Sequence, residues 1–421
     1  MINFETKTLK NGIRLVTAPL TQSEAVTILI VVATGGRYES KQKAGISHFL
    51  EHVFFKGSKK FPSAIALAKK LDGLGANYNA FTSEEYTGFY IQSAAKDFKA
   101  SLDVLSDMFL NPLFPEKEIE REKSVIIEEA NMRRDVPQLH VQVMSQEQMF
   151  ADSALGRDLI GTAETVKSIS RADIADYFKK GYLPSSTAVI VAGNPKGDNW
   201  REEIEKVFSQ IPAGEPPGFD GFSADKIKEK VVEDIRKVDQ THLILSALTF
   251  PKTDERRYGL ALLATILGGG MSSRLFSEIR EKKGWAYYIK ADSSAFRDTG
   301  CLSFAVGAKT DKLEDVLKII FDQINQMKNS GPDEEELSRA KANLRGHLAL
   351  SLEGSFEVAS FLAEELLYEK KIRQPEEIIK NLDKVTREEI RGLAKEIFAP
   401  EKIGLALITS ESNEKLKELL A

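Results

Sequence analysis

The sequence contains Thr87-Gly88 followed by Asp103-Val104-Leu105, and the same order returns as Thr299-Gly300 followed by Asp315-Val316-Leu317, at an offset of 212 residues. Matching segments at a constant offset are the signature of an internally repeated architecture. We therefore expect a chain of two similar halves, in which one order of strands and helices occurs twice.

A second pair of matching segments supports this repeat. Residues 169–171 (Ile-Ser-Arg) and 189–192 (Val-Ile-Val-Ala) correspond to residues 385–387 (Val-Thr-Arg) and 405–408 (Leu-Ala-Leu-Ile). The offset here is 216 residues, so we expect a small insertion in the second half.

The richest Pro/Gly stretch of the chain lies between the two halves, at residues 212–218 (Pro-Ala-Gly-Glu-Pro-Pro-Gly). Such a composition is typical of an extended linker. The sequence therefore predicts a first half at 1–211, a linker at 212–229 and a second half at 230–421. The chain length of 421 residues agrees with this division, because a single hydrophobic core rarely grows beyond about 300 residues.

The local patterns of the first half predict both strands and helices. Asn11-Gly12 favours a hairpin turn, and residues 26–32 form an apolar run that is typical of a buried strand. Apolar residues at helical spacing mark residues 44–55 and 65–74, while residues 78–93 indicate a pair of strands. The order is mixed and shows little sign of regular βαβ units.

Composition and charge exclude several classes of protein. The net charge is -5 with 29% charged residues, which argues against an electrostatic nucleic-acid binder. No apolar run approaches the roughly 18 residues that a membrane span needs, and the N-terminus lacks the apolar core of a signal peptide. The single cysteine, Cys301, excludes an internal disulfide and suits a reducing compartment. We therefore expect a cytoplasmic protein that binds neither nucleic acid nor membrane.

Residues 48–52 read His-Phe-Leu-Glu-His within the predicted helix 44–55. Residues four apart lie on one face of a helix, so both imidazoles can reach one metal ion. Glu51 lies close enough to deprotonate a water molecule at that ion, and the spacing is that of the inverted zincins. Alternatively, local hydrogen bonds satisfy both histidines, but two of only five histidines rarely fall in this arrangement by chance.

Two histidines leave such a site one ligand short, because catalytic zinc takes three protein ligands and keeps a fourth position open. The acidic helix at residues 118–129 offers several carboxylates. Here the chain resembles the pitrilysin-type peptidases, in the branch of the mitochondrial processing peptidase. In that family's pattern, 76 residues separate the second histidine from the third ligand, which selects Glu129. It also matches Glu122 to a supporting acid, close to the metal or in proton handling, whereas Glu128 is interpreted as part of a solvated helix face.

The second half lacks the metal set, because residues 262–266, which correspond to residues 48–52, contain no histidine or acid. The resemblance instead assigns Arg280 and Tyr287 to gripping substrate and stabilising negative charge on a carbonyl oxygen. Without the resemblance, this segment would be only a charged helix end. Residues 268–273 (Gly-Gly-Gly-Met-Ser-Ser) could suggest a phosphate loop, but no Gly-Lys-Ser/Thr follows. We interpret them as a helix stop and a new N-cap.

The segment Asn79-Ala80-Phe81-Thr82 resembles the edge strand with which this family pairs the backbone of an extended peptide. An ordinary hairpin strand is the alternative. Over essentially the whole chain, the resemblance implies an α+β fold of two homologous halves, each a mixed β-sheet flanked by helices.

The resemblance implies a zinc-dependent endopeptidase with one Zn²⁺ per chain, held by His48, His52 and Glu129, and with Glu51 as the catalytic base. The expected substrates are short or unfolded peptides. Longer relatives place four such domains in one chain, with the metal in the first and the Arg/Tyr pair in the last. A two-domain chain is therefore expected to form a homodimer with sites shared between subunits. The alternative is a non-catalytic scaffold or partner subunit, which usually loses the metal motif that this chain keeps.

Overall fold

The computed structural model describes residues 1–196, 199–223, 226–369, 371–412 and 415–420, and its strands form two β-sheets. The strands of the first sheet are β1 (Glu5–Thr8), β2 (Arg14–Pro19), β3 (Ala25–Val32), β4 (Asn77–Thr82), β5 (Thr87–Ala94) and β6 (Thr187–Gly193). They lie in the order β1-β2-β6-β3-β5-β4, with β2 and β6 parallel and the other neighbours antiparallel. The predicted Asn11-Gly12 hairpin and the buried strand at 26–32 are confirmed.

The second sheet repeats this topology. Its strands are β7 (Val231–Ile235), β8 (Thr241–Thr249), β9 (Ala286–Ala295), β10 (Gly300–Ala308) and β11 (Ile403–Thr409), in the order β7-β11-β8-β10-β9. That order matches β2-β6-β3-β5-β4 of the first sheet, including a parallel pair at the same end. The matching Thr-Gly segments lie at the start of the corresponding strands β5 and β10. The predicted α+β fold of two similar halves is confirmed.

Helices flank both sheets. They are α1 (Ile46–Phe54), α2 (Ala64–Gly73), α3 (Phe98–Leu110), α4 (Glu116–Asp135), α5 (Pro137–Met149), α6 (Ala163–Ser168), α7 (Arg171–Gly181), α8 (Trp200–Phe208), α9 (Arg257–Gly268), α10 (Leu313–Ser330), α11 (Glu334–Leu350), α12 (Ser355–Tyr368), α13 (Pro375–Lys384), α14 (Arg387–Ile397) and α15 (Lys415–Leu419). The equivalent helices α7 and α14 both begin with a capping box, on Ser170 and Thr386, which satisfies their first backbone N–H groups. Within the described residues, every helix is too short or too polar to cross a membrane.

The chain divides into two compact units. The first comprises Met1–Ala130, Arg157–Asp220 and Ala349–Gln374, and the second comprises the remainder, Asn131–Gly156, Gly221–Leu348 and Pro375–Ala421. In the central segment the division falls between Asp220 and Gly221, inside the predicted linker 212–229.

The compact units differ from the predicted halves 1–211 and 230–421 at two helices. Each of these helices belongs in sequence to one half but packs in the compact unit formed mostly by the other half. In the second unit, α5 packs on β8 and β11, and in the first unit, α12 packs on β3 and β6. An amphipathic pattern shows that a helix needs an apolar partner, but it does not identify the sheet that supplies it.

Both faces of β3 are buried, which explains why its sequence is a continuous apolar run. On one face Ile28 and Ile30 pack in the same cluster as Phe49 of α1. On the other face Leu29 and Val31 pack in a cluster with α12. The apolar side of α1 is therefore fixed on one face of the first sheet, and its other side is available for the polar residues of the site.

Candidate metal centre

The helix α1 begins at an unusual backbone position. Gly45, which precedes it, has a φ of +94°, in the left-handed region that favours glycine. A side chain at this position would also collide with the carbonyl oxygen of Ile160. The start of the helix is therefore fixed by backbone geometry three residues before His48.

A buried carboxylate holds the same helix start. Glu39 Oε2 accepts a hydrogen bond of 2.8 Å from the Gly45 N–H, and Glu39 Oε1 accepts one of 2.7 Å from the Ser47 N–H. These bonds satisfy N–H groups that the first turn of a helix leaves without partners. Burial raises the pKa of Glu39 to about 7, while its hydrogen bonds and Arg157 oppose the rise. Glu39 thus fixes the position of α1, and the sequence patterns did not single it out.

Three residues from α1 and α4 converge on one point. Glu129 Oε2 lies 3.4 Å from His52 Nε2 and 3.7 Å from His48 Nε2. Two ligands of a tetrahedral zinc ion, each about 2.1 Å from the metal, lie about 3.4 Å apart. One ligand atom from each of the three residues lies within 4.8 Å of the others. The two histidines of the motif and the glutamate that the resemblance assigned therefore come together in a geometry that fits a zinc ion.

Glu122 lies two helical turns before Glu129 on α4, and its side chain is only 5% exposed. Its Oε2 accepts a hydrogen bond of 3.0 Å from His52 Nδ1, and its Oε1 lies 2.6 Å from Lys56 Nζ. The imidazole of His52 thus turns Nδ1 to Glu122 and Nε2 to Glu129. The expected supporting acid does contact a metal-site histidine, whereas Glu128 is exposed, as expected for a solvated helix face.

Glu51 is held by the adjacent edge strand. The Thr82 hydroxyl, at the end of β4, donates a hydrogen bond of 2.6 Å to Glu51 Oε2. Burial raises the pKa of Glu51, and the Thr82 hydrogen bond and His52 oppose the rise. A carboxylate with a raised pKa, next to the histidines of a metal site, is suited to accept a proton from water.

The segment Asn79–Thr82 forms most of β4, which lies at the end of the sheet order and, within the described ranges of the chain, pairs only with β5. The Asn79 Oδ1 accepts a hydrogen bond of 2.9 Å from the Ala80 N–H. The Phe81 ring packs edge-on against Tyr86, with ring centroids 6.1 Å apart. The segment is therefore an edge strand. Its side chains make different contacts: Asn79 binds the backbone, Phe81 packs on Tyr86 and Thr82 binds Glu51.

Arg280 and Tyr287 lie in the second unit. The guanidinium of Arg280, at the end of a π-helical segment, is exposed and lies 5.1 Å from the centroid of the Phe276 ring. Tyr287 is 58% exposed on the edge strand β9. The register of β9 with β10 jumps from Tyr288 to Ala286, so Tyr287 is the extra residue of a β-bulge. Bulges reorient side chains and are frequent beside active sites.

The residues at 268–273 end α9 at Gly268 and continue into the turn before the π-helical segment. They border a small cavity that is also lined by Arg339 and Asn343 of α11. The predicted helix stop is confirmed. The predicted new N-cap is wrong, because the π-helical segment has no side-chain cap hydrogen bond and Ser273 Oγ has no hydrogen-bond partner among the described residues.

Comparisons with known proteins agree with this geometry. Residues 14–163 match the family described as insulinase (peptidase family M16), and residues 168–344 match the peptidase M16 inactive domain. An uncharacterized zinc protease of Bacillus subtilis is 34% identical over 409 residues, covering 96% of this chain and 98% of that protein. The chain belongs to peptidase family M16. A second relative, an uncharacterized zinc protease of Streptomyces coelicolor, is 33% identical over 397 residues, covering 93% of this chain and 86% of that protein.

Solved structures share the fold of this M16 chain. A protease from Helicobacter pylori has a TM-score of 0.90 at 22% identity and covers 97% of this chain and 100% of its own. A peptidase M16 inactive domain from Pseudomonas fluorescens has a TM-score of 0.89 at 18% identity, covering 98% of this chain and 100% of its own. The family matches and the two zinc-protease relatives confirm the pitrilysin-type resemblance, and the processing-peptidase branch stays a prediction.

The second M16 half has the scaffold of the first without its metal ligands. Residues 262–266 lie in α9, the helix that corresponds to α1, and Leu262, Leu263 and Ile266 are buried in the core. Within the described part of the chain, the group His48, His52 and Glu129 is the set of residues arranged to hold a metal ion.

Sequence patterns missed two residues and one contact at the M16 site. Glu39 acts on α1 from a preceding loop, and Lys56 follows α1. Thr82 belongs to the predicted substrate strand, but its side-chain hydrogen bond to Glu51 was not predicted. These contacts depend on how the chain packs.

Proposed function

We propose that the chain is a zinc-dependent endopeptidase that hydrolyses short or unfolded peptides. The observation that carries the proposal is the convergence of His48, His52 and Glu129, with separations of 3.4 and 3.7 Å, beside Glu51. The names of the relatives from Bacillus subtilis and Streptomyces coelicolor, both zinc proteases, support the same conclusion.

In this proposal, His48, His52 and Glu129 hold one Zn²⁺ per chain, and Glu122 fixes the orientation of His52. The bound ion would supply Lewis acidity, which polarises a carbonyl group and makes water a better nucleophile near neutral pH. Glu51 accepts the proton of the attacking water and then donates it to the leaving amine. Thr82 orients the Glu51 carboxylate for both transfers.

The substrate contacts are proposed for both units. The outer edge of β4, at Asn79–Thr82, would pair with an extended peptide by strand addition. This requires Asn79 Oδ1 to release the Ala80 N–H, which it binds in the structure. Arg280 and Tyr287 would grip the substrate and donate hydrogen bonds to the developing oxyanion, because a guanidinium and a phenol are both donors to negative charge.

The decisive experiment separates metal binding from turnover. Glu51→Gln keeps the size of the side chain but cannot accept a proton, so it should retain zinc and lose cleavage of an unstructured fluorogenic peptide. His48→Ala and Glu129→Gln should lose zinc as well as activity. Glu128→Gln, at the exposed neighbour on α4, is the matched control and should keep both. Metal analysis and peptide cleavage, with and without a chelator, give the result. A Glu51→Gln protein with near wild-type activity would remove Glu51 from the mechanism.

The substrate class has its own test, because strand pairing requires an extended peptide. Casein-like or free peptides should be cut, and stable folded proteins should resist cleavage. Equal rates for a folded protein and for free peptides of its sequence would contradict this substrate class.

A non-catalytic scaffold or partner subunit is the alternative function. The match of residues 168–344 to a domain described as inactive favours it. The complete ligand set in the first unit argues against it. A chain that binds zinc but leaves unstructured peptides intact, with no effect of a chelator, would support the alternative.

We also propose that two chains form a homodimer in which the metal centre of one subunit faces Arg280 and Tyr287 of the other. Each site would then need both subunits. Mixtures of Glu51→Gln and Arg280→Ala, each nearly inactive alone, should regain about a quarter of the sites after random exchange. Proven exchange without recovery would show that the pair does not act between two copies of this chain.

The predicted cytoplasmic location stays a prediction.

A further inference from the structure

Lys56 lies just beyond the end of α1, the helix that carries His48 and His52. Its backbone N–H donates a hydrogen bond of 3.1 Å to the Val53 carbonyl, which continues the helical turn. Its Nζ lies 2.6 Å from Glu122 Oε1, and the other oxygen of the same carboxylate lies 3.0 Å from His52 Nδ1. The Glu122 carboxylate thus contacts a lysine through one oxygen and a metal-site histidine through the other.

The Lys56 ion pair is unlike an ordinary surface pair. The Glu122 side chain is 5% exposed, so its carboxylate has little access to water. A buried carboxylate is costly unless charged or polar donors surround it. Lys56 supplies the cation, and the Nδ1–H of His52 supplies the second donor. Each oxygen of the Glu122 carboxylate contacts a donor, so the two contacts together fix the rotation of the carboxylate plane and stabilise its negative charge.

The orientation of Glu122 decides which nitrogen of His52 faces the metal position. When Nδ1–H donates to Glu122, Nε2 keeps its lone pair and points toward Glu129, 3.4 Å away. Hydrogen bonds of this kind to a ligating histidine strengthen metal binding, and their loss typically costs about 10- to 100-fold in affinity.

We propose that Lys56 is a positioning residue for the metal centre, acting through Glu122 on the imidazole of His52. This inference rests on the proposed zinc function. Lys56 itself touches neither the metal position nor the substrate, and its contribution is to keep the Glu122 carboxylate in place.

The test measures zinc affinity by competition with a chelating dye. Lys56→Met keeps the length of the side chain without its charge, and it should weaken zinc binding about tenfold or more. Lys56→Arg restores a cation and should recover most of the affinity. Lys43→Met is the matched control, because Lys43 also forms a partly buried ion pair, of 2.8 Å, but with Asp173 of α7 rather than with Glu122. It should leave the zinc affinity unchanged.

A second comparison shows whether Lys56 acts through Glu122. In a Glu122→Gln background, Lys56→Met should cause no further loss of zinc affinity, since the two changes interrupt the same chain of contacts. A full additional loss, or a Lys56→Met single variant with wild-type affinity, would overturn the inference. A structural role alone would lower unfolding stability in Lys56→Met and Lys43→Met alike without a selective loss of zinc.

The outcomes for the two proposals are distinguishable. A wild-type chain that binds no zinc refutes both. Zinc binding without peptide cleavage refutes the peptidase proposal and leaves the role of Lys56 to be decided by the affinities. Normal cleavage with no affinity change in Lys56→Met refutes only the role of Lys56.

Discussion

The hydrogen bond from Thr82 to Glu51 joins the edge strand β4 to the proposed base, and its removal is a direct test of the mechanism. Thr82→Val replaces the hydroxyl by a methyl group and keeps the β-branched shape that suits a strand. In the lost bond the Thr82 hydroxyl donates to a carboxylate oxygen of Glu51 over 2.6 Å. Hydrogen bonds to charged groups contribute about 1.5–3 kcal/mol, which corresponds to roughly 10- to 100-fold in rate if the whole contribution is lost in the transition state.

Two effects place the expected loss near the lower limit. Thr82 is only half-buried, so water can replace part of the bond. The same bond opposes the rise in the pKa of Glu51, so its removal makes the carboxylate a slightly stronger base. We expect kcat/KM to fall about tenfold through kcat, because the Thr82 hydroxyl binds Glu51 rather than a metal ligand.

The assay is steady-state cleavage of a fluorogenic peptide, combined with zinc analysis of each variant. Thr82→Ser restores the hydroxyl and should recover most of the activity, whereas zinc content should stay unchanged in both variants. Equal activity of Thr82→Val and the wild type would refute the orienting role. Loss of zinc in Thr82→Val would show instead that the variant disturbs the metal centre.

Three further predictions follow from the metal helix and its ligands. Burial raises the pKa of Glu39 from 4.5 to about 7; between these values the folded state retains a proton that the unfolded state has lost, so the stability from this group falls as pH rises, by up to about 3 kcal/mol. The unfolding free energy of the wild type in urea, relative to that of Glu39→Gln, should therefore decrease from pH 5 to pH 8. A difference that stays constant over this range would contradict the prediction. Gly45→Ala should destabilise the fold by about 1–3 kcal/mol in urea unfolding, because φ is +94° and the new methyl group meets Ile160; wild-type stability would contradict this. Free zinc at 1,000 times its dissociation constant should stabilise the fold by about 4 kcal/mol, which a chelator removes and His48→Ala lacks, as thermal unfolding can measure.

Much of the fold could be predicted because the sequence contains an internal repeat, so that each half supports the interpretation of the other. The apolar run at 26–32 identifies a strand with both faces covered, and the matched Thr-Gly segments start equivalent strands of the two sheets. The positions of α5 and α12 could not be predicted. Each helix packs on a sheet encoded mostly by the other half, and such a choice depends on tertiary packing rather than on local pattern.

The metal centre was predictable to different depths. The two histidines are one helical turn apart, so their spacing alone places them together. Glu129 comes from a separate helix, and only the family's spacing selects it among the acids of α4. Glu39 lies outside the short spacing of a capping box, since it binds N–H groups six and eight residues later. Lys56 and Thr82 reach the site through contacts between elements, which no local period encodes.

The two halves use the same topological position for different proposed tasks. β4 and β9 are equivalent edge strands, each next to the strand that begins with the repeated Thr-Gly segment. In β4, Thr82 reaches Glu51, and the backbone edge is proposed to bind peptide. In β9, a bulge exposes Tyr287. The helices differ in parallel, because α1 carries His48 and His52 where α9 buries apolar side chains in its core. Under the proposed function, a duplicated scaffold needs only local changes, at one helix and one strand edge, for one copy to hold the metal and the other to supply donors for substrate.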